Sequence, residues 1–504
     1  MVRAPRIIAA AVGLLGICAA VYYARVGLTL AHFDARAHLV VARRIIDSLM
    51  PGWQQVGAVW LPLPHLLDML PVQIDYLYRT GFSAVAISIA SMMVAAWSIA
   101  SLIQRATGTW IGGAAAAALL MLNPNVLYLQ STPMTEPLLF ATTLLAVALI
   151  ARWTSNLDPP ASDTRHATSG IRHPTSTRAP GWALVAACLT RYEAWPITAA
   201  AIVLAWAVLL RRGWRLADAA RAVRGLAWWP LWAIAAFLVN SKITVGTWFV
   251  STGFFIADNP ALGHPLMAWQ QVWDGLLVLT GSALPWLACA AAVLIAFVFV
   301  RSRAHASLII PLALAASAAL PWSAYYKGHP VRVRYDVPLV AAAAAIAGIG
   351  ISLLPRGARA AGAIVIVSVA AWQAPPFDST ARVVTESQRD AQSAVGRRAV
   401  TSYLVSHWDR QPIMMSMGSL GHYMHDLSRD GFLVRDFVHE GVGEIWKYAL
   451  AHPQPFVEWI AVEEKAEGGD VLYWQGKRDP RFFNRYQRVA EGGGVALYRR
   501  VDGK

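Results

Sequence analysis

The sequence predicts a polytopic α-helical membrane protein of about eleven transmembrane segments, followed by a small α/β domain on the extracytoplasmic side. Three observations predict it. The chain of 504 residues is 57% hydrophobic, 14% charged and carries 22 Trp, more apolar surface than a soluble enzyme of that length can hide. Its apolar residues fall into runs of membrane-crossing length, and its basic residues collect in short clusters between them. After Pro375 and Pro376 the composition turns to that of a soluble domain. The net charge of +14 therefore belongs to loop clusters; no basic stripe alternates with aromatics in a polar domain, which excludes nucleic acid as a partner class. Cys18, Cys188 and Cys289 lie inside apolar runs as small core residues and offer neither a disulfide framework nor a metal motif.

Taken in order, Met1 to Arg6 is short and basic, and Ile7 to Ala24 is apolar for 18 residues. A run of that length crosses roughly 30 Å of hydrocarbon. A cleaved signal peptide competes with this reading, but the run is long and no small-x-small site precedes a polar sequence. As an anchor, it leaves the N-terminus in the cytoplasm and Asp34 outside. Further apolar runs centre near residues 92, 120, 143, 186, 203, 232, 288, 315, 345 and 367. Arg105, the group from Arg152 to Arg178, the group from Arg211 to Arg224, Arg301 with Arg303, and Arg356 with Arg359 form a basic series assigned to the cytoplasm. Gly181 to Thr190 is too short to cross alone and is interrupted by Arg191, Tyr192 and Glu193, so two short or re-entrant helices are expected with those charges at their tip. Residues 154–180, rich in Ser, Thr, Pro and Arg, read as a disordered cytoplasmic linker.

The domain division that follows is a membrane domain over residues 1–376, with amphipathic helices at about 34–70 in its first outer loop, and a soluble α/β domain over residues 377–504. In the latter a long amphipathic helix is expected from Ser379 to Trp408, then strand-like PIMMSMG and FLVRDFV, helical EIWKYAL and apolar VEWIAV.

Polar residues gather at the outer ends of several segments. DARAHLVVARRIIDSL has helical period, and Asp34 has the character of an N-cap on a helix lying along the membrane surface. The bland reading is that Asp34 only caps the helix and that Arg43 pairs with Asp47 four residues on. WLPLPH follows, its prolines breaking helix before Pro64 and His65 start a second interfacial stretch. Glu136, in NPNVLYLQSTPMTEP, stands where a helix N-terminus favours a carboxylate, or faces a cavity. YYKGHPVRVRYDVP holds Lys327, His329, Arg332, Arg334 and Asp336 on the side where basic residues are rare; an anionic phosphate head group would account for them, and pairing with Asp336 plus snorkelling is the alternative. His422, His425, Asp426, His439 and Glu440 lie in the soluble domain, but HYMHD lacks a zinc spacing, so no metal and no cofactor is assigned. That domain is expected to recognise the acceptor or cover the cavity.

An acidic residue just after the first transmembrane segment, the AR of the following helix, PLPH, NP, MTEP, LTRYEAWP and the late RYDVP together resemble the GT-C glycosyltransferases, in particular the group with bacterial protein O-mannosyltransferases and the lipid A aminoarabinose transferase. The likeness spans roughly the first 375 residues. It implies an integral enzyme of the bacterial inner membrane that takes a sugar from a polyprenyl-phosphate carrier, inverts its anomeric configuration, and gives it to a lipid, glycan or protein acceptor outside. Asp34 then matches the essential acidic residue, the candidate general base. Arg334 matches a basic residue near the donor phosphate, Arg191 a slot often held by Lys or Arg, and His65 stands in for a Lys beside the prolines; Lys327 and Arg332 join this donor-binding set. His38, Glu136 and Glu193 are the cavity or acceptor candidates. Ala35 departs from the pattern, which often has a second acid there. A transporter or lipid flippase would also carry charges in the membrane, but the two halves show no repeat; a scaffold would not need acids and bases at the ends of separate helices.

Overall fold

The computed structural model describes residues 3–157, 176–250 and 257–501. The linker expected at 154–180 lies for the most part outside the described residues.

Helix α1 (Arg3–Arg25) leads through a turn to α2 (Phe33–Arg43), a 3₁₀ turn, and the short α3 (Leu63–Asp68) and α4 (Asp75–Thr80). Then come α5 (Phe82–Thr107), α6 (Ile111–Met121), α7 (Pro124–Leu129), α8 (Glu136–Asn156), α9 (Arg178–Cys188), α10 (Ala194–Arg211), α11 (Leu216–Val245), α12 (Pro265–Thr280) and α13 (Ala283–Arg301). A 3₁₀ stretch from Ala306 runs into α14 (Ala319–Tyr326), followed by α15 (Val337–Leu353) and α16 (Arg359–Gln373). Eight helical segments among the described residues are long and apolar enough to cross a membrane. The shorter α6, α9 and α16 account for the remaining apolar runs of the sequence. The irregular pair resolves into α9, of 11 residues, and α10, of 18, so only the first is too short to cross, and Arg191 and Glu193 sit in the turn between them.

The bundle is held by close approach of small residues, the way helices pack where water supplies no drive between them. α15 is the hub: its alanine run is buried almost throughout, and it packs against α6, α13 and α5. At its crossing with α6, a Cβ on Gly112 would stand 2.1 Å from the carbonyl oxygen of Gly348, so any side chain there would separate the helices.

Beyond α16 the chain forms α17 (Arg382–Gly396) and α18 (Arg398–His407), then β1 (Ile413–Met415), α19 (Met417–Leu427), β2 (Phe437–Val438), α20 (Glu444–Ala451), β3 (Trp459–Glu463), α21 (Val471–Arg478), β4 (Tyr486–Gly492) and β5 (Val495–Arg500). The sheet order is β2-β1-β3-β5-β4, with the first three strands parallel and the last two joined antiparallel. The parallel strands are wholly buried, as strands covered on both faces must be. α20 and α21 supply one cover through Trp446 and Leu472. The other cover contains α19 and, unexpectedly, α2: Leu39, Val40, Val41 and Ala42 share a core with Met417, Leu420, Met424 and Trp459. The apolar face of α2 is thus spent on the sheet domain rather than on the membrane surface. The exposed apolar groups of this region come after α2, from Ile46, Leu49 and Trp53 on to Leu70, Tyr76 and Phe82.

Candidate active site

The site forms where four chain turns meet under the sheet domain. The first is the start of α2. His32 caps it, its Nδ1 accepting the backbone N–H of Asp34 at 3.1 Å, and so orients Asp34 in the first turn. The second is the start of α8, where Thr135 and Glu136 precede Pro137; a carboxylate there meets the positive end of the helix. The third is the α9–α10 turn with Arg191 and Glu193. The last is the 3₁₀ turn Val333–Asp336, which carries Arg334 into α15.

Two guanidinium groups organise these ends. Arg334 donates through Nη2 to Asp34 Oδ2, directs Nη1 at His32 Nε2 (3.0 Å) and sets Nε 3.6 Å from Glu136 Oε1. Arg191 lies 3.1 Å from the same Glu136 oxygen, donates to Thr135 Oγ1 at 2.9 Å and pairs with Glu193 at 2.7 Å. Glu136 is wholly buried, and although both arginines neutralise it, neither of its oxygens receives a well-directed hydrogen bond. Asp34 is the open member, with its side chain 33% exposed. Burial works against its ionisation, but Arg334, with His32 and His38, holds it well below the usual carboxylate range. For Arg191 burial is likewise outweighed, by Glu136 and Glu193, so its charge is held firmly.

One helical turn beyond Asp34, His38 Nδ1 lies 3.0 Å from His65 Nε2, and the pair stacks beside Trp60. Burial, reinforced by Arg44, brings His65 down to about 3, and burial with the neighbouring His65 holds His38 well below its ordinary value. Both rings are neutral, one donating to the other. A cavity of about 30 Å³, lined by His38, His65, Asp68, Ser88 and Thr135, adjoins this pair and is large enough for an ordered water.

Of the residues singled out in the sequence, Asp34, Glu136, Arg191, Glu193 and Arg334 converge in one ion-paired cluster, with His38 and His65 beside it. Lys327 is exposed and makes no ion pair with this cluster among the described residues, and Arg332 caps the 3₁₀ turn, its carbonyl accepting the Tyr325 hydroxyl at 3.0 Å. In the sheet domain His422 faces Arg397, His425 faces the carbonyl of Tyr78 and Asp426 pairs with Arg36, so the HYMHD side chains serve three separate contacts. His439 caps a turn at Gly441, and Glu440 accepts from Ser416 and Met417. Three site residues were not picked out by sequence reasoning: His32, and Glu386 and Asp390 of α17, whose carboxylates lie 3.7 Å from the His32 ring. His32 carried a weak signal as a possible cap two residues before Asp34; the acids of α17 read as an ordinary solvated helix face.

A broken-helix bundle of this order beneath a small mixed-sheet domain is an integral membrane architecture of the GT-C fold. The chain is similar over 96% of its length to ArnT from Cupriavidus metallidurans bound to undecaprenyl phosphate, at 13% identity, covering 97% of that chain with a TM-score of 0.54. It is similar to the apo state of the same ArnT at 12% identity, covering 96% and 97% of the two chains, TM-score 0.53. The oligosaccharyltransferase of Archaeoglobus fulgidus, in complex with Zn and sulfate, matches at 10% identity over 97% of this chain and 73% of that one, TM-score 0.50. No family model and no curated protein matches the sequence.

Proposed function

We propose that the protein is an inverting glycosyltransferase that moves a sugar from a polyprenyl-phosphate carrier to a hydroxyl of a lipid, glycan or protein acceptor. Fold alone does not determine chemistry, so the reading rests on the site. The observation that carries it is the pairing of a partly exposed Asp34 with Arg334, backed by Arg191 and the buried Glu136. An acid and a guanidinium fork brought together from distant parts of the chain suit attack beside an anionic leaving group.

In this mechanism the donor phosphate competes with Asp34 for the fork of Arg334. Losing that partner makes Asp34 more basic and frees an oxygen for the acceptor hydroxyl. The acceptor oxygen attacks the anomeric carbon from the face opposite the phosphate; the bond from that carbon to the phosphate oxygen breaks, and its electron pair leaves with polyprenyl phosphate. The acceptor proton passes to Asp34, while Arg334 and Arg191 stabilise the charge gathering on the leaving group. The neutral His38–His65 pair adds hydrogen-bonding groups at the edge of the site. ArnT in complex with undecaprenyl phosphate is a related fold holding a ligand of the same class, which supports the donor assignment.

The extracytoplasmic placement in a bacterial inner membrane is part of the proposal. It is supported by Arg105 and Arg152, which lie toward the ends of α5 and α8 remote from Glu136. A cysteine at the exposed Arg481 should react with an impermeant thiol reagent in intact cells; protection until the membrane is opened would reverse the orientation.

The central test supplies labelled undecaprenyl-phosphate sugars and a membrane extract to purified wild type and Asp34→Asn. Transfer by the wild type, lost in a variant that keeps its thermal midpoint, is expected. Undiminished transfer in the variant would remove Asp34 from the chemistry, and movement of an intact solute without transfer would favour a transporter.

A further inference from the structure

His32 is buried, with two hydrogen-bond donors aimed at it. The backbone N–H of Asp34 meets Nδ1 at 3.1 Å, and Nη1 of Arg334 meets Nε2 at 3.0 Å. A neutral imidazole has one lone pair to offer and one N–H to give, so it cannot satisfy both donors. Two carboxylates from α17 flank the ring at ion-pair distance, just beyond hydrogen-bond reach: Glu386 Oε1 lies 3.7 Å from Nε2, and Asp390 Oδ2 lies 3.7 Å from Nδ1. They are unequally free. Asp390 Oδ2 already accepts the backbone N–H of Phe33 at 2.9 Å, whereas no hydrogen bond of Glu386 to any other described group competes for its Oε1.

We propose that Glu386, acting through His32, is a positioning residue: it holds the imidazole proton on Nε2, so that Nδ1 keeps the cap on Asp34 and the ring withholds its lone pair from Arg334. The fork of Arg334 is then left to Asp34 and, on donor binding, to the phosphate. With the proton on Nδ1 instead, the ring would capture Arg334 and release the cap, misplacing both groups of the pair at once. Burial works against ionisation of Glu386, but the His32 ring and the cation of Arg334 hold its carboxylate near 2, available to accept. α17, in the segment after the last crossing, thereby completes a site whose other members lie in the bundle.

This rests on the transfer reaction proposed above, and the test separates the two. Glu386→Gln, whose amide can itself donate to Nε2, should lower transfer roughly tenfold or more, a loss within the range caused by misplacing reactive groups. Undecaprenyl phosphate affinity should stay unchanged or tighten, since a negative charge near Arg334 is gone. His32→Asn keeps a side-chain cap for α2 and should cost less, about threefold. The decisive readout is the double variant: with the ring absent, Glu386→Gln should cost nothing further. An equal cost in both backgrounds, or none in either, would overturn the proposal. Should Glu386→Gln fail to fold, ¹⁵N-histidine spectra of the wild type, assigned by difference from His32→Asn, give the same answer: hydrogen on Nε2 is expected, and hydrogen on Nδ1 would overturn it. If Asp34→Asn transfers normally, the reaction assignment fails; if it does not while Glu386→Gln is harmless, only the role of Glu386 fails.

Discussion

Two buried arginine–carboxylate clusters, one in the bundle and one in the sheet domain, differ in how fully they are bonded. In the sheet domain Arg397 donates to Glu463 at 2.8 Å and to the carbonyl of Gly493 at 3.2 Å, and faces His422 at 2.8 Å; Glu463 also accepts the backbone N–H groups of Lys465 and Ala466. Every group has its partner, and a ligand would have to break the fold to enter. Around Arg334, one guanidinium bonds Asp34, lies against the His32 ring and stands 3.6 Å from Glu136, Asp34 opens toward solvent, and Glu136 has neutralising charges without directed bonds. The closed cluster fixes structure. The open one holds groups whose bonding is incomplete.

Substitutions should separate the two. Asp34→Asn should lower transfer about 10³-fold, the range of a lost general base, while leaving the thermal midpoint near that of the wild type; a large fall in the midpoint would make the open cluster structural as well. Glu463→Ala should strand Arg397 and cost about 3–5 kcal/mol of stability, with transfer per folded molecule retained; loss of transfer without loss of stability would erase the distinction. Arg334→Ala should weaken undecaprenyl phosphate binding by roughly ten- to a hundredfold, as loss of a charged hydrogen-bonded contact does, with a smaller effect on the chemical step. Unchanged affinity would sink the phosphate assignment.

A further effect concerns pH. Burial, aided by Arg44, brings His439 down to about 3 in the fold, below the ordinary value near 6.5. Between those values the unfolded chain binds the extra proton, so the stabilisation is complete above about 6.5 and is lost as pH falls toward 3. His439→Asn, which can still cap Gly441, should flatten the fall in unfolding free energy over that window by one proton's worth, about 1.4 kcal/mol per pH unit. An unaltered slope would show that His439 is not what acid destabilises.

Much of this architecture could be read from residues that repeat a period or carry charge in the wrong solvent. The apolar runs became helices because hydrocarbon leaves a backbone no other way to bond. Arg191, Glu193 and Arg334 stood out because charges near the membrane need partners. α12 was missed because Gln270, Gln271 and Asp274 interrupt its apolar run. FLVRDFV yielded only the strand Phe437–Val438, since Asp436 accepts the backbone N–H of Leu433 and folds the preceding residues into a turn. The β4–β5 hairpin was announced by Gly493 and Gly494, both with positive φ, but its charged strands hid the signal. His32 and Glu386 were beyond reach for a different reason: their meaning lies in an encounter between residues 354 positions apart, and each alone has an ordinary explanation.

The shared core of α2 and the sheet domain sets an order on biogenesis. Residues 33–43 are made early, while β1 and α19, which cover their apolar face, are made only after α16. Throughout synthesis of the intervening spans the helix that carries Asp34 lacks that cover, so the spans are made before the site is complete. Until β1 and α19 are made, Leu39 to Ala42 have no sheet domain to pack against. Chains arrested at residue 376 should therefore be inserted yet cut readily within residues 33–43 by added protease; resistance equal to that of the full chain would show that the bundle protects this helix unaided.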